Sequence, residues 1–257
     1  MKRKFFTIFT LICVINCLTA CHGESVSYSE IYQPATTHDE TPVPIKPAAD
    51  INGIPDTNIT STDVSDLIPP YDGVPYCIIN DNNPDFNGDE ITTEPFEQYS
   101  DLDELGRCGP AFANICLNIM PEEPRGEIGM IKPSGWHNHN YHELIEGNYI
   151  YNRCHLIGYQ LSGENANEKN LITGTRYMNV EGMEPFENQI ADYVRLTGHH
   201  VLYRVTPVFE NDNLVASGVL MEAESVEDDD LIFCVYCYNI QPGFTIDYKT
   251  GENWITD

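Results

Sequence analysis

The sequence predicts an α+β fold with a mostly antiparallel sheet. Three observations carry that prediction. From residue 71 onward the chain has the texture of a globular domain, and its 187 residues are enough to bury one core. In its C-terminal part "HHVLYRVTPVFE", "NLVASGVLMEAESV" and "DLIFCVYCYNI" alternate apolar and polar residues like antiparallel strands, with "END" and "EDDD" as turns. One stretch, "EPFENQIADYVRLTG", has helix signals: Phe186, Ile190, Tyr193 and Val194 share a face, Pro185 suits the first turn and Gly198 suits the stop. Strands with a few helices in this order fit an α+β layer arrangement.

The remaining elements follow in chain order. "VPYCIIN" reads as a first strand, and "DNNPDFNGDE" as a turn-rich loop after it. "PAFANICLNI" has helical spacing at Phe112, Ile115, Cys116 and Ile119, so a helix is predicted there. "GEIGMIKPSG" and "NYIYNRCHLI" are strand-like. No internal repeat is visible.

Upstream of the domain the texture differs. Lys2, Arg3 and Lys4 precede an apolar run, Phe5 to Ile15, too short to span a bilayer comfortably, so residues 1–20 read as a signal peptide. "LTAC", ending at Cys21, resembles a bacterial lipobox, in which the Cys is acylated and becomes the new N-terminus; an ordinary secretory signal is the plainer alternative. Residues 21–70 are then the lipidated Cys and a tether rich in Ser, Thr, Pro, Asp and Asn. A flexible tether of 49 residues reaches roughly 40 Å. The expectation is an extracytoplasmic lipoprotein on the bacterial cell membrane, facing outward, with domains at 1–20, 21–70 and 71–257.

Charge narrows the partners. Residues 1–20 hold three basic and no acidic residues, so the remainder carries 10 basic against 40 acidic, a net charge of −30. Such a surface repels polyanions. The window from Arg107 to Arg204, however, holds eight basic and eleven acidic residues, a net charge of only −3. Acids outside it are largely screened beyond about 8 Å at physiological salt, so this middle can hold a polyanion site.

Six cysteines remain after Cys21: Cys77, Cys108, Cys116, Cys154, Cys234 and Cys237. An even number outside the cytoplasm permits disulfides, whose pairing the sequence does not give. "CVYC" looks like half a zinc site, but residues three apart on a strand point to opposite faces.

One stretch concentrates unusual chemistry: "YNRCHLIGYQLSGENANEKNLITGTRYMN", residues 151–179. Phosphodiester cleavage with one metal ion needs a base for water, a divalent cation and cationic donors for developing charge. His155 titrates in the right range for the base. An Asn carbonyl suits Mg²⁺, which keeps several waters. Arg153, two residues from His155 on the same strand face, presents a fork that matches phosphate. The bland alternative for His155 is a hydrogen-bonded core histidine.

"NRCHL" is similar to the Asp-Arg-Gly-His signature of the DNA/RNA non-specific endonucleases, whose core is a ββα-metal finger. The longer run "NRCHLIGYQLSGENANEKNLITGTRYMNVEGMEPFE", continuing through "HVLYRVTPVFE" and "LVASGVLMEA", resembles the Gram-positive secreted branch of that family, with its DNA-entry nucleases and streptococcal DNases. The resemblance covers roughly Pro75 to the C-terminus. It implies His155 as general base, Asn179 as the Mg²⁺ ligand with Mn²⁺ as a substitute, and Arg153 on the phosphate side. It implies DNA as substrate, and RNA beside it.

A family Glu follows the metal-ligand Asn by eight residues, and Glu187 keeps that spacing from Asn179. Eight residues of straight helix rise about 12 Å, too far for one shared coordination site. Glu187 is therefore expected behind the metal ligands or as a structural acid at a helix start, with Gly182 and Pro185 able to break the path. Arg176 and Asn170 lie in the same segment as candidate substrate contacts, with a structural ion pair as the alternative for Arg176.

Two positions depart from the signature: Asn152 stands for its Asp and Cys154 for its Gly. These changes and the acidic surface keep open a second reading, a non-catalytic surface lipoprotein that uses the nuclease fold for binding. Upstream, "WHNHNYH" invites a metal reading for His137, His139 and His142, but an exposed polar loop accounts for it as well.

Overall fold

The structure, a computed structural model, describes residues 67–256. The expected signal peptide, Cys21 and the tether up to residue 66 lie outside the described residues. Residues just before the expected domain start already pack: Ile68 sits against buried side chains, as Tyr71 does, and the Tyr238 hydroxyl donates to the Pro69 carbonyl at 2.7 Å.

Among the described residues there are ten strands: β1 (Tyr76–Ile78), β2 (Phe96–Tyr99), β3 (Ala111–Ile115), β4 (Tyr151–His155), β5 (Leu171–Thr175), β6 (Val201–Val208), β7 (Gly218–Ser225), β8 (Ile232–Tyr238), β9 (Phe244–Ile246) and β10 (Asn253–Ile255). A six-stranded antiparallel sheet runs in the order β1-β8-β7-β6-β3-β2. β4 pairs with β5, and β9 with β10, as separate two-stranded ribbons. Helical segments are two 3₁₀ turns (Asn80–Asn82 and Glu168–Asn170), a short α1 (Tyr159–Ser162), a π-wound stretch (Met178–Met183) and the long α2 (Glu184–Thr197). The expected α+β class, antiparallel sheet and ββα unit (β4, β5 and the helical stretch after them) are all present.

Period-two alternation explains the sheet. On β8, Phe233, Val235 and Cys237 enter the main core, while Cys234, Tyr236 and Tyr238 enter a second cluster on the other face. Cys234 and Cys237 thus point apart, and all six described cysteines are free thiols. The main core is closed by α2, whose Phe186, Ile190, Ala191, Tyr193 and Val194 are buried. Pro185 opens α2, and Gly198 ends it at φ 72°, a left-handed turn that favours glycine.

Two expectations are corrected. Residues 111–115 form strand β3 and not a helix. Ala111, Ala113 and Ile115, all fully buried, face the core, and Phe112 faces the other way against Arg204, so pairing with β2 and β6 imposed period two on an ambiguous apolar run. Residues 126–135 are not a strand; they form an irregular segment tied down by side chains.

Candidate active site

β4 and β5 bring the unusual chemistry to one cavity. Their register sets Arg153 against Thr173 and His155 against Leu171. Beyond β5 the chain enters the π-wound stretch and continues into α2, so helical winding is unbroken from Met178 to Thr197. The break expected at Gly182 or Pro185 is absent. A cavity of about 820 Å³ opens over this unit, and Arg125, Arg153, His155, Asn179 and Glu187 all face it.

His155 is 6% exposed. Its Nε2 lies 2.8 Å from the Asn165 carbonyl, which can only accept, so Nε2 carries the proton of the neutral ring. Nδ1 is then the lone-pair nitrogen, and it lies 3.3 Å from the Arg125 guanidinium. Burial pushes the His155 pKa down to about 4, and the Arg125 charge adds to the drop, while the Asn165 carbonyl opposes it. At neutral pH the ring is uncharged and able to take a proton.

Arg153 is held from several directions. Its Nε donates to the Ile131 carbonyl, one terminal nitrogen donates to the Gly129 carbonyl at 2.9 Å, and the Trp136 ring lies 4.2 Å below the guanidinium carbon. These bonds organise the irregular 126–135 segment and fix a cation on the cavity wall.

Asn179 is half-buried, and its Oδ1 accepts only a thiol proton, from Cys154 Sγ at 2.9 Å. A thiol is a weak donor, so this oxygen keeps capacity for a cation. Cys154 itself is 1% exposed and fits because Gly174, diagonal to it on β5, has no side chain; a Cβ there would stand 2.6 Å from that of Cys154. The departure at 154 therefore touches the amide expected to hold the metal.

Glu187 lies in the first turn of α2 and reaches back to the ββ ribbon. Its Oε1 accepts the Gly158 N–H at 2.9 Å, and a Cβ at residue 158 would meet the other carboxylate oxygen at 2.5 Å, so a side chain there would displace the carboxylate. Burial raises its pKa to about 8; the Gly158 bond and Arg125 oppose the rise. Asn179 and Glu187 line the same cavity, and an amide oxygen such as Asn179 Oδ1 is a hard donor of the kind a hydrated Mg²⁺-like ion takes. Among the described residues no cluster of three or more His, Cys, Asp or Glu is arranged around a metal position.

The other candidates separate. Arg176 lines the cavity and is paired with Glu146 at 2.7 Å. Asn170 does not line it. Its side chain is fully buried, with Oδ1 accepting the Ile157 N–H at 2.9 Å and Nδ2 donating to the Ile157 carbonyl at 3.0 Å. It clamps the chain just after His155.

Three contributors were missed by sequence reasoning. Arg125 sits in an acidic, proline-flanked loop, and its only signal was membership of the near-neutral window. The Asn165 carbonyl is backbone and leaves no sequence trace. Trp136 was overlooked beside the more conspicuous histidines. His137 and His139 instead hold the two oxygens of Glu252, each at 2.9 Å, and tie their loop to the β9–β10 hairpin.

Residues 88–227, more than half the chain, match the sequence model of the DNA/RNA non-specific endonucleases. The chain belongs to this family. It is a nuclease, a phosphodiester hydrolase acting on nucleic acid. Among solved structures it is similar to NucA from Streptococcus agalactiae with a magnesium ion bound, at 26% identity, TM-score 0.62, covering 72% of this chain and 91% of that one. It is also similar to the Sda1 nuclease with a bound zinc ion, at 27% identity, TM-score 0.53, covering 63% and 80%. An extracellular endonuclease at 20% identity and TM-score 0.51, covering 72% and 98%, shares the fold. The likenesses to NucA and Sda1 agree with the Gram-positive secreted branch.

Proposed function

We infer that this nuclease is exported and cuts DNA, and RNA beside it, without sequence preference, using one Mg²⁺ ion for which Mn²⁺ can substitute. The reading rests on one observation: His155 is pinned through Nε2 to the Asn165 carbonyl, so its basic Nδ1, which accepts from the Arg125 guanidinium, faces the cavity that also holds Asn179 and Glu187. His155 Nδ1 takes a proton from the attacking water, a contribution of about 10²- to 10⁴-fold. Arg125 and Arg153 balance the charge that builds on the phosphate oxygens. Asn179 would hold the metal through its amide oxygen, with Glu187 orienting metal-bound water. The bound ion supplies Lewis-acid stabilisation of the phosphate and the departing 3′ oxygen. Backbone contacts dominate such a site, which accounts for the lack of sequence preference.

The bound magnesium of NucA and zinc of Sda1 support metal dependence. The signal-like residues 1–20 and the lipobox at Cys21 support export and membrane anchoring through lipid. The second reading, binding without turnover, draws on the Cys154 thiol seated on Asn179 Oδ1.

The test is cleavage of supercoiled plasmid and of RNA by the full chain, in Mg²⁺ and in EDTA, beside His155→Ala. Cleavage only with Mg²⁺, lost in a folded His155→Ala protein, is the expected result. Retained cleavage in that variant would falsify the base assignment. Metal-independent binding with no turnover in Mg²⁺ or Mn²⁺ would favour the second reading.

A further inference from the structure

Glu146 lines the same cavity as His155 and is paired there with Arg176. The loop from Asn140 to Tyr149 closes on itself through a bridge between those two residues, with the Tyr141 N–H donating to the Asn148 carbonyl at 2.8 Å and the Asn148 N–H to the Ile145 carbonyl at 2.9 Å. This loop presents Glu146 to the cavity that holds His155 and Asn179. Across the cavity mouth, the Arg176 backbone is fixed at the end of β5, where its N–H donates to the Ile150 carbonyl at 2.7 Å. The Arg176 guanidinium meets the Glu146 carboxylate at 2.7 Å.

The two partners differ in freedom. The Arg176 side chain is 29% exposed, whereas that of Glu146 is 85% exposed. The cation is anchored in the wall and the anion comes from solvent. A carboxylate and a phosphodiester offer an arginine the same kind of oxygen pair.

We propose that Glu146 sets the affinity of this nuclease for nucleic acid: its carboxylate occupies the phosphate-binding edge of Arg176, and a backbone phosphate must displace it to engage the cavity. This deepens the nuclease reading and rests on it. Removing the carboxylate leaves Arg176 open to phosphate without touching the base or the metal ligands. An exposed ion pair of this type changes an equilibrium about two- to fivefold. A merely structural pair predicts the opposite, since losing it loosens the loop and improves nothing.

The experiment measures binding of fluorescent DNA and RNA oligonucleotides to the full chain by anisotropy, in EDTA and at one fixed salt concentration, followed by KM and kcat in Mg²⁺. Glu146→Gln should tighten binding about two- to fivefold and lower KM with kcat unchanged. Glu143→Gln, an equal charge change on the same loop, should have less effect. In an Arg176→Ala background the gain from Glu146→Gln should vanish. Equal effects at 143 and 146, no tightening, or a gain that survives Arg176→Ala overturns the proposal. Wild-type binding without Mg²⁺-dependent cleavage, with the Glu146 effect intact, overturns the nuclease mechanism and leaves this assignment standing.

Discussion

Asn170→Ala separates a structural clamp from a substrate contact. Asn170 is fully buried and satisfies both backbone groups of Ile157, itself fully buried, two residues past His155. Alanine leaves an N–H and a C=O with no partner and no room for bulk water. Each unsatisfied buried group costs about 1–3 kcal/mol, so the substitution should destabilise the domain by roughly 2–6 kcal/mol. For a domain of 150–250 residues each kcal/mol moves Tm by about 2–4 °C, which gives a drop on the order of 10 °C. The assay is thermal unfolding by circular dichroism, with chemical denaturation as the second probe. Below the new Tm, KM for nucleic acid should stay near wild type, while kcat falls because the chain carrying His155 is less firmly held. A change below about 1 kcal/mol together with a raised KM would refute the clamp and return Asn170 to the substrate surface.

Other outcomes follow from the same geometry. The depressed pKa of His155, about 4 against an ordinary 6.5, keeps the base active as pH falls, so the acid limb of kcat/KM should lie near pH 4–5; a limb at 6.5 or above contradicts this. The unfolded chain takes up a proton between those two values that the native ring refuses, so stability should fall as pH drops through that window, by at most about 3 kcal/mol. Arg125→Ala removes a charge that lowers the His155 pKa, so the acid limb should move up and kcat should fall; an unmoved limb would separate Arg125 from the base. Trp136→Ala removes the ring under Arg153 and should lower stability by about 2 kcal/mol in calorimetry and raise KM severalfold; an unchanged KM would mean that Arg153 needs no support.

The site was partly legible because its side chains lie close together in sequence. His155 and Arg153 share one short strand, and Asn179 follows one hairpin later. Arg125, 30 residues upstream, reaches the same cavity only because the chain folds back over β4, and no local pattern encodes that return. Asn170 shows the converse: it lies in the right segment and has the right chemistry, yet its side chain points into the core.

The sequence by itself determined the α+β class, the strands β6 to β8 and helix α2, because period-two and helical patterns long enough to exclude alternatives are local properties. It also determined the family, through a motif whose residues are adjacent on β4. Only the tertiary structure decided the rest. It made 111–115 a strand, since a short apolar run takes the conformation its neighbours can pair with. It chose the His155 tautomer, since that depends on a backbone carbonyl brought in by a loop. It placed Glu187 on the same cavity as Asn179, since helical winding through a π-wound turn, and not residue count, sets which side chains share a face.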